Sequence, residues 1–196
     1  FAVLMRLREI CCDPRLVADN WTGSSAKLEA CLELVTEAVA GGHRILLFSQ
    51  FTSMLELLAK RLDEAGVSHF TLQGSTPKPV RAEQVRRFNQ GEADVFLISL
   101  RAGGTGLNLT AADIVIHYDP WWNLAAQNQA TDRAYRIGQR NPVQVYRLIA
   151  QDTIEEKIVE LQQAKQSLAD TVTGGADGAI LSMNPEQLLQ LLGEEA

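Results

Sequence analysis

A chain of 196 residues with 46% hydrophobic and 21% charged side chains has the composition of a globular domain with a sizeable core. No apolar run approaches the ~20 residues needed to span a bilayer, and the start Phe1-Ala-Val-Leu-Met-Arg lacks the basic head and small-residue cleavage site of a secretory leader. A net charge of −6 argues against a protein that coats nucleic acid non-specifically, and 3 cysteines without metal spacing (Cys11, Cys12, Cys31) point to a reducing, cytoplasmic compartment.

A phenylalanine at position 1, already inside a helix-like pattern, reads as a piece of a longer protein. Residues 1–12 carry apolar side chains at helical spacing (Val3, Leu4, Leu7, Ile10, Cys11), Pro14 ends them, and 19–25 is a polar linker. Ser24 or Ser25 can cap a helix with the stripe Leu28, Cys31, Leu32, Val35 and Val39, stopped by Gly41-Gly42. Short apolar runs at 44–49, 68–72, 94–99, 113–117 and 143–149 then alternate with helical patterns around Leu55, Leu58 and Leu62, at 79–89 and at 123–136. That alternation predicts an α/β fold with a doubly wound parallel sheet covered on both faces. An amphipathic helix from 153 to 168 leaves the sheet, a glycine-rich tether follows at 174–178, and Asn184-Pro185 starts a last short helix rich in leucine. The expected organisation is a lead-in at 1–24, one lobe at 25–170 and an extension at 171–196.

Ligands of such sheets bind beyond the carboxyl ends of the strands, where this chain places Gln50, Gly74-Ser75-Thr76, the stretch Gly103-Gly104-Thr105-Gly106 and Asp119-Pro120-Trp121-Trp122. The glycine stretch is no Walker A loop, because Leu107 stands where Lys-Ser/Thr is required. Glycines still let backbone N–H groups approach an anion, although a plain turn is the bland alternative. Arg133 and Arg136 share one face if 123–136 is helical, and their planar forks suit phosphate oxygens. A solvated basic face pairing with Asp132 is the competing reading. An arginine supplied in trans to a γ-phosphate is worth ~10³–10⁵ in rate. Trp121-Trp122 is either core packing or a stacking element at the ligand edge. Lys78, Arg81, Arg86 and Arg87 form either a phosphate-contacting cluster or a solvated helix face. Glu155-Glu156-Lys157 reads as solvent-facing charge, and His43, His69 and His117 receive no role.

Residues 45–58 resemble helicase motif IV of the Swi/Snf-type ATPases, and 73–89 resemble their next motif. The stretch from Ser99 to Asp113 resembles motif V. Gln129 to Gln139 resembles motif VI, Q-A-x-D-R-A-x-R-I-G-Q. Residues 7–16 resemble the segment that enters the second lobe, and 153–168 the helix that leaves it. The resemblance implies the C-terminal RecA-like lobe of an ATP-dependent translocase acting on double-stranded DNA, with ATP and Mg²⁺ held mainly by the N-terminal lobe of the same chain. It implies that Arg133 and Arg136 reach the γ-phosphate, Arg136 being the stronger finger, with Gly104, Thr105, Gly106 and Gln129 on the nucleotide side. Gln50, Gly74, Ser75 and Thr105 would touch one DNA strand and Trp122 the other. No metal ligand is assigned to this chain, and a fragment lacking the first lobe is expected to be inactive. A DNA-bound protein complex is a further expected partner, and the wording of motif V has a prokaryotic look. Leu124 and Tyr135 depart from the family's usual Pro and His. An RNA helicase lobe and a non-catalytic doubly wound binding module are the alternatives.

Overall fold

The computed structural model describes residues 2–18, 20–100, 102, 107–135, 139 and 141–171, with backbone alone for 165–171. The glycine stretch Gly103 to Gly106, Arg136 and the extension from 172 onward, with the short helix expected there, lie outside the described residues.

Five parallel strands, β1 (Ile45–Ser49), β2 (His69–Leu72), β3 (Val95–Ser99), β4 (Ile114–His117) and β5 (Gln144–Arg147), pair in the order β2-β3-β1-β4-β5. Every residue of β1, β3 and β4 is buried, as expected of strands covered on both faces. The edge strands β2 and β5 are more open. Register is continuous across the centre, with Leu47 opposite both Leu97 and Ile116.

Two helical layers cover the sheet. Ile45, Leu47, Val95, Leu97, Ile114 and Ile116 point to one face, beneath α2 (Ala26–Ala40) and α3 (Thr52–Glu64). Leu46, Phe48, Phe96, Ile98 and Val115 point to the other, with Phe88 of α4 (Lys78–Asn89) and Ala130 of α5 (Leu124–Thr131). The alternation of period two between these sets is the pleat of the strands. Ser25 caps α2 as expected, its hydroxyl accepting from Leu28 N at 3.4 Å.

Three features depart from the sequence expectations. The buried stripe of α1 (Ala2–Cys12) is Leu4, Arg8 and Cys12, while Val3 and Ile10 are exposed. An arginine thus occupies a core position that apolar periodicity does not find. Glu155, at the start of α6 (Ile154–Thr171), is fully buried and bonded to Lys27 Nζ at 2.6 Å, not turned to solvent. Burial holds its carboxyl above the usual carboxylate range, against the pull of Lys27. Finally, α5 ends at Thr131 and not at 136, with Asp132 as its C-cap. Arg133 N and Ala134 N then donate three residues back, to Ala130 O at 3.3 Å and Thr131 O at 3.1 Å, in a tightened turn.

Candidate functional site

Strands β1 and β4 are neighbours whose connections leave the sheet in opposite directions, β1 toward β2 and β4 toward β5. Such a reversal opens a crevice at the carboxyl edge. Here it brings the residue after β1, Gln50, against the loop after β4. Ser49 Oγ donates to Asp119 Oδ1 at 2.6 Å, Gln50 N donates to the same carboxylate at 3.2 Å, and Gln50 Nε2 donates to Pro120 O at 2.9 Å.

Arg8 of α1 fills the crevice from the side, at 1% exposure. Its Nη2 donates to Pro120 O at 2.7 Å and lies 3.6 Å from Asp119 Oδ2, while Nη1 donates to Gln50 Oε1 at 3.3 Å. The guanidinium also lies 5.2 Å from the ring centre of Trp122 and 5.5 Å from that of Phe51. Burial raises the Asp119 carboxyl above its ordinary range, and Arg8 opposes that by favouring the charged form. A fully buried carboxylate and guanidinium tolerate one another because each also has hydrogen-bonding partners.

The two tryptophans have different settings. Trp121 is core: it meets Phe48 and His117 edge-on, its backbone N–H donates to Gln127 Oε1 at 3.2 Å, and its carbonyl accepts from Gln162 Nε2. Trp122 is half-buried and packs against the cluster formed by Leu4, Ile154 and Ile158 of the lead-in and exit helices. Asn123 begins α5 directly after it, its side chain accepting from Ala126 N at 3.1 Å. His117, beside this loop, is buried with Nε2 2.9 Å from Thr131 Oγ1 and stacks on Phe48. Its burial, with a smaller contribution from Arg147, brings its pKa down to about 3.

Two strands away, Gly74 and Ser75 are exposed at the tip of a turn in which Thr76 Oγ1 accepts from Gln73 N and Thr76 N donates to Gln73 O, both at 3.0 Å. The basic cluster around this turn divides. Lys78 and Arg81 lie in the first turns of α4, and Arg81 Nη1 donates to Ala102 O at 3.5 Å. Arg86 and Arg87 lie at the far end of α4, paired with Glu83 and Glu92.

Motifs V and VI also meet. Leu109 N donates to Arg133 O at 3.3 Å, and Gln139 Nε2 donates to Ala112 O at 2.5 Å and to Ala134 O at 3.4 Å. The chain leaving the glycine stretch therefore runs beside the turn that carries Arg133. The helix expected to carry Arg133 has ended before it, so Arg133 sits on a turn and not on a helix face. Nor is the Arg133 side chain open to a cleft: it is 2% exposed. Gln129 is exposed on α5. Arg136, Gly104, Thr105 and Gly106 lie outside the described residues.

The carboxyl edge does not suit Mg²⁺. Its buried acidic group, Asp119, is engaged by Ser49, Gln50 and Arg8, and among the described residues no cluster of three His, Cys, Asp or Glu could hold a metal. Among them also, no helix is long and apolar enough to cross a membrane.

Fold and edge together define an α/β lobe of the kind that forms half of a helicase-like ATPase core. The profile of the helicase conserved C-terminal domain matches residues 26–138. An uncharacterised ATP-dependent helicase of Mycoplasma pneumoniae is 40% identical over 190 residues, covering 96% of this chain and 18% of that protein. The putative ATP-dependent helicase/translocase YwqA of Bacillus subtilis is 41% identical over 196 residues, covering 97% and 21%. The Sulfolobus solfataricus SWI2/SNF2 ATPase core domain superposes with a TM-score of 0.77 at 33% identity, over 97% of this chain and 39% of that one. This chain belongs to the helicase conserved C-terminal domain family, and within it to the SWI2/SNF2 type. It spans about a fifth of the length of these bacterial relatives.

Proposed function

We propose that this chain is the C-terminal lobe of an ATP-dependent translocase on double-stranded DNA, contributing an arginine finger and part of the DNA-backbone grip. The observation that carries this reading is the convergence of motif-bearing segments on one sheet edge. Gln50 and Trp122 flank the β1–β4 crevice, and Gly74 and Ser75 stand exposed at the other end of the same edge. Two strand spacings, roughly 10 Å, separate them, a spread suited to a ligand that tracks along the edge more than to a small molecule.

Arg136 is the finger in this reading. Arg133, enclosed beside Leu109, would reach a nucleotide only if the 132–134 turn rearranged. In this reading ATP and Mg²⁺ are held mainly by the companion lobe, and among the described residues the buried carboxylate of this edge, Asp119, is already engaged by Ser49, Gln50 and Arg8. Closure of two lobes would complete the hydrolytic site, so this chain alone should hydrolyse no ATP. Backbone contact from exposed Gly74 and Ser75 carries no sequence information, and with a net charge of −6 the isolated lobe should bind DNA weakly and with strong salt dependence.

The test is Arg136→Ala in the full-length parent protein. Duplex-stimulated ATPase should fall by ~10³ or more while ATP binding persists; normal turnover would remove the finger assignment. Stimulation by single-stranded RNA and not by duplex DNA would replace the translocase with an RNA helicase. A parent sequence without an upstream Gly-Lys-Thr loop would replace both with a binding module.

A further inference from the structure

We infer that Arg8 is a positioning residue that sets the DNA-facing geometry of Gln50 and Trp122, and so ties the segment entering the lobe to its grip on the duplex. The inference rests on the translocase reading above.

Arg8 sits on the buried stripe of α1 with Leu4 and Cys12, four residues from each. A leucine or methionine there would satisfy packing without the desolvation of a guanidinium. What Arg8 adds is connection. Its Nη2 holds Pro120 O at 2.7 Å and faces the Asp119 carboxylate, its Nη1 reaches Gln50 Oε1 at 3.3 Å, and its Cζ lies 5.2 Å from the Trp122 ring centre. Pro120 O in turn accepts from Gln50 Nε2 at 2.9 Å. The amide of Gln50 is therefore fixed at both ends, its oxygen by Arg8 and its nitrogen by the loop that carries Trp122.

Two segments remote in sequence are thus held at one spacing, and the group that spans them belongs to a third, α1. A planar fork serves all these partners at once, whereas a lysine ammonium could serve only part of them. Any shift of α1 must move the fork, and with it the Gln50 amide and the Trp122 loop. Such a link lets a movement of the lead-in segment alter the hold on DNA without passing through the sheet.

The experiment uses the full-length parent protein with Arg8→Lys, measuring ATPase against duplex-DNA concentration and, separately, against ATP. The half-saturating DNA concentration should rise about tenfold, the loss of roughly one well-made charged hydrogen bond. Half-saturation by ATP should change less than twofold. A merely structural role would lower the active fraction, reducing the maximal rate with both half-saturations unmoved, and that result would overturn the inference. So would a DNA half-saturation equal to wild type.

If Arg8→Lys does not fold, Arg8→Met with Asp119→Asn removes both buried charges together and should show the same DNA shift at unchanged ATP half-saturation. Wild-type-like DNA dependence in that double variant would also overturn the inference. A wild-type protein unstimulated by duplex DNA would defeat the translocase reading itself, and the role of Arg8 with it. A stimulated wild type with an indifferent Arg8 variant would defeat only the role of Arg8.

Discussion

The two ends of the carboxyl edge are built on opposite plans. At the β1–β4 end, polar groups are buried and bonded to one another: Asp119 is held by Ser49, Gln50 and Arg8, and Arg8 is enclosed by Phe51 and Trp122. At the β2 end, Gly74 and Ser75 stand in solvent on a turn closed by its own hydrogen bonds. The first plan makes geometry stiff and costly to disturb, because any deletion strands a buried charge. The second leaves donors free to meet a ligand and leaves stability almost independent of them. In this lobe, order sits where two loops must be held at a set distance, and openness where one loop presents its backbone and the Ser75 side chain.

The sharpest way to break this comparison is Asp119→Ala, which leaves the Arg8 guanidinium buried without its counter-ion. Urea unfolding of this chain should show a loss of about 3–5 kcal/mol; a loss near zero would mean that water reaches the crevice. Acid is the next lever. The unfolded imidazole of His117 protonates near 6.5 and the folded one at about 3, so between those values the unfolded state binds the extra proton. Stability from His117 is complete above pH 6.5 and is lost as pH falls. Asp119 and Glu155, whose folded values are raised, act in the opposite sense. The comparison must therefore be wild type against His117→Gln, with the wild type losing on the order of 2 kcal/mol more by about pH 4.5. Parallel pH profiles would show that His117 is not shielded.

At the β2 end the expected effects shrink. Thr76→Ala removes the acceptor of Gln73 N and should cost about 0.5–1.5 kcal/mol in the same urea assay. Ser75→Ala should leave stability within about 0.5 kcal/mol while weakening duplex binding by the parent protein, measured by fluorescence anisotropy. A large stability loss at Ser75 would erase the distinction between the two ends.

Much of this was legible from residue patterns. Buried parallel strands announce themselves as unbroken apolar runs, since both faces are covered, and each of the five expected runs contains a strand of the sheet. The Ser25 cap and the stop of α2 at Gly41-Gly42 were equally visible, because capping is a local hydrogen-bonding problem. The placement of Gln50, Gly74 and Trp122 at one edge followed from the rule that loops after parallel strands share a side. Three things were not legible. Apolar periodicity passes over Arg8, whose burial depends on partners more than forty residues away. A run of three charged residues hides Glu155, whose partner Lys27 belongs to another helix. The length of α5 was overestimated because the Q-A-x-D-R-A pattern is compatible with a helix, while the chain turns after Thr131 and meets Leu109 through the Arg133 carbonyl.

Local periodicity and short-range spacing were enough to fix the alternation of strands and helices and the edge at which the unusual residues gather, while the wording of motifs V and VI carried the resemblance to a family. Only the tertiary structure decided which polar groups are enclosed and with whom. Arg8 with Asp119, Lys27 with Glu155 and the burial of Arg133 depend on desolvation by distant elements, and the free energy of a charge is set by that surrounding and not by its neighbours in the chain.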